Sequence, residues 1–141
     1  MRGFLTSDVV AAVLAHFPAE KFESTSTEVH AGFRELGREF PELLGHVSFG
    51  RVGEYVASDA IDAALDSLAA SSFYSRYNKD LVTYELNKDR LGVYYRRFLA
   101  ERFTAAEVSE DRLVEAATRF HSLLEELHGS DDLDTVLVTD K

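Results

Sequence analysis

The sequence predicts a mainly α-helical fold with one small β-hairpin, and residues 58–87 carry most of the evidence. In the first half of this stretch, Ile61, Leu65 and Leu68 recur at helical spacing, which predicts an amphipathic helix. In the second half, apolar residues alternate with polar ones, which predicts strands at 73–77 and 81–86 around a turn at 78–80. The stretch is therefore predicted to be a helix that leads directly into a hairpin.

Length and composition predict one globular domain. The chain has 141 residues, of which 45% are hydrophobic and 28% charged, so it can bury a core without disulfides or a metal. It contains no cysteine, which excludes thiolate metal sites and cysteine nucleophiles. We expect a single domain at residues 1–128 and an acidic tail at 129–141, with a β-prone run at 135–138.

Two helices are predicted before this central stretch. The first should begin after Thr6 or Ser7, either of which is a suitable N-cap, and should end before Pro18. After a short loop, Thr25 and Glu28 have the spacing of a capping box, which predicts the start of the second helix.

Pro41 should end the second helix. One further helical turn closed by Gly45 and a short extended piece at 46–49 are expected next, whereas the backbone of 50–57 is not specified by the pattern. Ser58 is the expected N-cap of the central helix.

Two more helices are predicted after the hairpin. Asn87 or Asp89 should cap the first of them, and its expected buried residues are Leu91, Tyr94, Tyr95, Phe98 and Leu99. The last helix could start at a capping box formed by Thr104 and Glu107, or at Ser109. Its apolar stripe is the most regular in the chain and consists of Leu113, Ala117, Phe120, Leu124 and Leu127.

Charge restricts the possible partners. The formal net charge is −10, so non-specific binding to polyanions is disfavoured, because contacts to phosphates supply most of that affinity. Residues 76–103 are the exception, since they contain seven basic and four acidic side chains. The apolar run near the N-terminus is interrupted by Asp8 and His16, which predicts a core helix rather than a targeting segment. We expect a cytoplasmic protein with no membrane association.

Few residues are arranged for chemistry. His121, Glu125 and His128 share one side of the last helix, and Glu125 with His128 has the Glu-x-x-His spacing of iron ligands in helical bundles. Such a site needs a second motif of this kind, which the chain lacks, so a solvated helix edge is the favoured interpretation. We find no nucleophile motif or phosphate-binding loop and predict no cofactor, no metal and no enzymatic activity.

The order helix, helix, short strand, helix and hairpin resembles the winged helix-turn-helix superfamily over about residues 7–87. The aromatic and glycine-containing connector, the following Ser and Ile-x-x-Ala-Leu helix and the strand pair also resemble bacterial SocA-like antitoxin domains. The first resemblance implies a winged-helix-like part extended by C-terminal helices, and DNA binding through the helix before the wing. In this chain the charged residues of that helix are Asp59, Asp62 and Asp66, which a phosphate-lined groove would repel.

Two classes of function therefore remain, and a third is less favoured. The first is a non-catalytic regulatory or protein-interaction module that binds a partner protein or a second copy of itself. Its expected binding residues are Asp59, Asp62, Asp66, Leu113, Phe120, Leu124 and Leu127, although packing inside the monomer explains the last four equally well.

The second class is a DNA-binding transcriptional regulator or antitoxin that uses a basic wing and the helix after it. Its expected phosphate contacts are Arg76, Lys79, Lys88, Arg90, Arg96 and Arg97. An acidic inhibitor that mimics DNA is the third possibility.

Overall fold

A computed structural model describes residues 4–47, 49–52, 55–77 and 82–128. The described part is mainly helical with small antiparallel sheets, which confirms the predicted fold class at this level. The helices are α1 (Thr6–Ala15), α2 (Ser26–Glu39), α3 (Pro41–Leu44), α4 (Asp59–Ala70), α5 (Lys88–Tyr94), α6 (Ala100–Ala105) and α7 (Glu110–His128), and a π-helical turn (Tyr95–Leu99) joins α5 to α6. No helix in this part of the chain combines the length and apolar character that crossing a membrane requires.

Within the described ranges, five strands form two separate sheets. They are β1 (Lys21–Ser24), β2 (Gly50–Val52), β3 (Tyr55–Ala57), β4 (Tyr74–Tyr77) and β5 (Val82–Leu86). The larger sheet has the antiparallel order β1-β5-β4, and β2 pairs with β3 in the smaller one. The predicted hairpin is confirmed as the β4–β5 pair, whereas its predicted turn lies outside the described residues.

Helix α1 lies at the centre of the molecule. Every residue from Asp8 to Leu14 is buried, as expected for a helix that is apolar on all sides. It packs against α4, α5, α7 and the π-helical turn. The carboxylate of Asp8 accepts a hydrogen bond from the Arg102 guanidinium at 2.6 Å, so the one charged residue of α1 is paired.

Side-chain caps confirm several predicted helix starts. Thr25 and Glu28 form the expected capping box at α2, and the Ser58 hydroxyl accepts from the Ile61 N–H at the start of α4. Asn87 caps α5. Just before α7, the Ser109 hydroxyl accepts a hydrogen bond from the N–H of Arg112, three residues later in the chain.

Two predicted caps were wrong. Helix α1 starts from Leu5, whose side chain makes no cap, rather than from Thr6 or Ser7. The predicted capping box at Thr104 does not form, because the chain leaves the helix at Ala105 and Glu107 adopts a left-handed conformation with φ 65°.

The single turn α3 forms where it was predicted, and Pro41 occupies its first turn. The Gly45 N–H donates to the carbonyl of Pro41, and a Cβ on Gly45 would lie only 2.6 Å from that carbonyl oxygen. The close approach explains why glycine closes this turn without a left-handed backbone.

The extended pieces differ most from the prediction. Strand β1 lies in the segment predicted to be a loop, and the short strand expected at 46–49 lies instead at Gly50–Val52, where it pairs with Tyr55–Ala57. Each segment contains a single apolar side chain, Phe22 in β1 and Val52 in β2, which is too few to predict a strand. The pairing of β1 depends on β5, about sixty residues away, so local sequence does not indicate it.

The segment after β5 also departs from the prediction. Leu91, Tyr95 and Leu99 are buried as expected, but Tyr94 is only partly buried and Phe98 is 56% exposed. A π-helical turn holds more residues than an α-helical turn. Side chains spaced by four, at Tyr95, Leu99 and Phe103, therefore face the core together, and Phe98 is turned outward.

Candidate functional site

The α4 residues predicted to bind a partner form an acidic outer face. Asp59, Asp62 and Asp66 are exposed, while the opposite side of α4 buries apolar residues against α1. Ser58 fixes the start of α4, since it is buried and caps the helix. The carboxylates are placed where a partner can reach them, but they do not converge on one point.

A buried histidine joins α2 to the start of α4. His30 is 4% exposed, and its Nδ1 accepts a hydrogen bond from the Ser58 N–H at 3.1 Å. Its Nε2 lies 3.9 Å from the Asp62 carboxylate. Burial lowers the pKa of His30, and the nearby Asp62 charge opposes this only in part. The ring is therefore neutral, which is also what an accepting Nδ1 requires.

The four apolar α7 residues predicted as a partner surface are used inside the monomer. Leu113, Phe120, Leu124 and Leu127 are all buried, and α7 packs along α2. The Phe120 ring stacks on Phe33 with centroids 4.2 Å apart. Packing inside the monomer, the alternative to a partner surface, therefore accounts for this stripe.

Among the predicted phosphate contacts, Lys88 has a structural role. Its Nζ donates to the carbonyls of Leu14, Ala15 and Phe17 at 2.6–3.2 Å, where α1 ends. Burial lowers the pKa of Lys88, while the charge of Glu20 raises it. The ammonium satisfies carbonyls that a helix end leaves without intrahelical partners, so it is not directed at a ligand.

The other predicted phosphate contacts are dispersed. Arg90 donates from Nε to the Ser71 carbonyl at the end of α4, and its guanidinium lies over the Phe73 ring, 5.4 Å from the centroid. Arg96 and Arg97 are exposed. The side chain of Arg76 and the whole of Lys79 lie outside what the structure describes.

An open cleft of about 740 Å³ lies beside this region, between the end of α4, the β4–β5 sheet and the start of α5. Glu20, Glu85 and Asp89 contribute carboxyl groups to its lining. Lys88 also lines it but is bonded to the end of α1, so the lining is acidic.

Helix α7 carries the three residues with the spacing of iron ligands, for which a solvated helix edge is the favoured interpretation. His121 packs edge-on against Phe17, with ring centroids 5.1 Å apart, and its Nε2 lies 3.6 Å from the Glu125 carboxylate. The side chain of His128 lies outside the described part. Among the residues that the structure does describe, no three potential ligands are grouped to hold a metal ion.

An apolar groove on α5 was not predicted. It has a volume of about 470 Å³, and we call it the α5 groove; its lining residues are Phe73, Asn87, Asp89, Arg90, Val93, Tyr94, Arg97 and Phe98. Tyr94 packs between two other rings, with centroids 5.0 Å from Phe73 and 5.4 Å from Phe98. Val93 and Phe98 are 41% and 56% exposed.

The α5 groove combines an apolar floor with cationic edges. The three rings, tilted against one another, form a row from the end of α4 to the π-helical turn, and Arg90 and Arg97 also line the groove. Asp89 is the one carboxylate in its lining. Sequence reasoning missed this site because Tyr94 and Phe98 were assigned to the core, and only the π-helical turn places Phe98 outside.

Comparisons with models of protein families, with curated proteins and with solved structures gave no match. The chemistry of the exposed groups is therefore the basis for a functional proposal.

Proposed function

We propose that this chain is a non-catalytic protein-interaction module with a winged-helix-like scaffold, and that the α5 groove is its docking surface. The observation that carries the proposal is the exposure of Phe98 and Val93 beside a row of aromatic rings in contact. Contiguous exposed apolar surface framed by polar groups is typical of protein-binding sites, and aromatic and arginine side chains dominate the energetics of such sites.

The winged-helix part of the proposal is supported by topology. Helix α4 leads into the β4–β5 hairpin after the three residues 71–73, and β1 completes the sheet on the far side of β5. A helix followed by a small antiparallel wing is what the resemblance of residues 7–87 implies.

The acidic face of α4 argues against the usual use of such a scaffold. Asp59, Asp62 and Asp66 would face the phosphates of a DNA groove with negative charge. Lys88 donates to carbonyls at the end of α1, and Arg90 donates to the Ser71 carbonyl. Among the predicted contacts, Arg96 and Arg97 are the other two whose side chains are described, and both are exposed. The protein-interaction hypothesis therefore accounts better for the described surface than DNA binding does.

The test is a selection of peptide ligands from a random display library on the full chain. Peptides that bind wild type should lose at least tenfold in affinity for Phe98→Ser and for Val93→Asp, because both changes remove apolar contact area. Val114→Asp is the matched control, since Val114 is 43% exposed and does not line the groove.

Failure to enrich any peptide, or equal losses for Val93→Asp and Val114→Asp, would contradict the proposal. A mobility-shift assay with duplex DNA at low and moderate salt tests the alternative directly. A shift that weakens steeply with salt and is lost in Arg96→Glu with Arg97→Glu would favour DNA binding instead.

A further inference from the structure

The α5 groove has the chemistry to accept an acidic, apolar segment. Its floor is aromatic, and Arg90 and Arg97 place positive charge along it in a protein whose formal net charge is −10. An approaching acidic segment is repelled by most of the molecule and attracted here, which favours one binding site over others.

The chain itself contains such a segment. Residues 130–138 have the sequence SDDLDTVLV, in which Asp131, Asp132 and Asp134 precede Val136, Leu137 and Val138. Carboxylates followed by branched apolar residues complement arginines beside an aromatic floor. We propose that residues 130–138 occupy the α5 groove of their own molecule and compete there with an outside partner. This inference rests on the proposed function, because both use the same groove.

The described contacts put this segment within reach. His121 of α7 packs on Phe17, and the Lys88 ammonium bonds the Phe17 carbonyl, so α7 and the start of α5 meet at the end of α1. From His121 to His128 the helix advances about 10 Å. The eight residues 129–136 span up to roughly 27 Å when extended. The two neighbours of Lys88 in the chain, Asn87 and Asp89, both line the groove.

Because the segment belongs to the same chain, even weak contacts are enough to keep the groove occupied. A short linker gives an effective concentration of about 1 mM, so a segment with micromolar intrinsic affinity is mostly bound. An outside peptide must then displace it, and its apparent affinity is the intrinsic affinity multiplied by the fraction of grooves that are free.

Cysteine cross-linking tests the inference, since the natural chain has no cysteine. The full chain carrying Val93→Cys and Leu137→Cys is oxidised mildly and followed by intact mass and non-reducing gels. An internal disulfide is expected at least ten times faster than in the control with Val114→Cys and Leu137→Cys. The control has equal exposure and lies on the helix from which the tail extends. Adding Arg97→Glu should slow the first reaction several-fold at low salt, and less at high salt.

Equal rates of disulfide formation for the two cysteine pairs would overturn the inference. A disulfide-linked dimer as the main product would also overturn it, because the groove would then be occupied by a second copy of the chain. A second measurement separates this inference from the proposed function. Val136→Ser with Leu137→Ser in the full chain should raise the affinity of groove-binding peptides at least threefold. If peptides bind through Val93 but the tail variant has wild-type affinity, the tail inference fails and the interaction module stands.

Discussion

Helix α7 and the segment made of α5 and the π-helical turn both carry apolar residues at helical spacing, yet they use them differently. On α7 the stripe is buried against α2, with Phe120 fully covered. In the other segment, Leu91 of α5 and Tyr95 of the π-helical turn are buried, while Val93 of α5 and Phe98 of the turn are exposed. The comparison shows that periodicity identifies a helical stripe but does not say which neighbour, if any, covers it.

The largest expected effect comes from truncating one ring in each region. Phe120→Ala removes a fully buried ring that stacks on Phe33 and should lower the free energy of unfolding by about 3–5 kcal/mol. Phe98→Ala should cost less than about 1 kcal/mol, because that ring is already 56% exposed. Chemical denaturation of both variants measures the difference.

If Phe120→Ala does not fold, Phe120→Leu gives the same comparison with a smaller loss of unfolding free energy. Similar losses for the variants at 98 and 120 would mean that the two stripes are equally covered.

A second pair of variants tests how closely each region is packed. A Cβ on Gly32 of α2 would lie 3.0 Å from Cε1 of Phe120, so Gly32→Ala should destabilise the protein by about 1–3 kcal/mol. On Gly92 of α5 the nearest contact is the flexible end of Arg96 at 3.2 Å. Gly92→Ala should therefore stabilise by roughly 0.5–1 kcal/mol through helix propensity. Opposite signs in thermal unfolding are expected, and a loss at both positions would refute the contrast in packing.

The smallest expected effect is a change of stability with pH. It concerns His30 of α2, which accepts a hydrogen bond from the Ser58 N–H at the start of α4. The pKa of His30 is lower in the folded protein than in the unfolded chain, where it is about 6.5, because burial disfavours the charged ring. As pH falls below about 6.5, the unfolded chain binds a proton that the folded protein does not. This contribution to stability is therefore complete above that pH and is lost progressively below it.

The check is denaturant unfolding of wild type and His30→Gln between pH 8 and pH 5.5. The amide oxygen of glutamine can still accept from the Ser58 N–H, and it does not titrate in this range. The wild-type curve should fall more steeply below pH 6.5. Parallel curves would show that protonation of His30 has no part in stability.

Local chemistry was sufficient to predict the helix starts that depend on a nearby side chain. The capping box of Thr25 and Glu28 and the caps at Ser58, Asn87 and Ser109 all need partners within three residues. The hairpin β4–β5 was predictable for the same reason, since its strands are close in sequence.

Features set by distant partners were not predictable. Strand β1 exists because β5 pairs with it, and its charged sequence gave no alternation. Lys88 was expected on the surface, but the end of α1 holds it. The α5 groove was missed because the π-helical turn, rather than the apolar spacing, decides where Phe98 points.

The pairing of β1 with β5 has a consequence for how the chain reaches its structure. Residues 21–24 are synthesised early, but their hydrogen-bonding partners at 82–85 follow about sixty residues later. Closing so long a loop costs entropy before any sheet contact compensates for it, so the sheet is expected to form late in folding. On the ribosome, the edge of β1 must wait until β5 has left the exit tunnel.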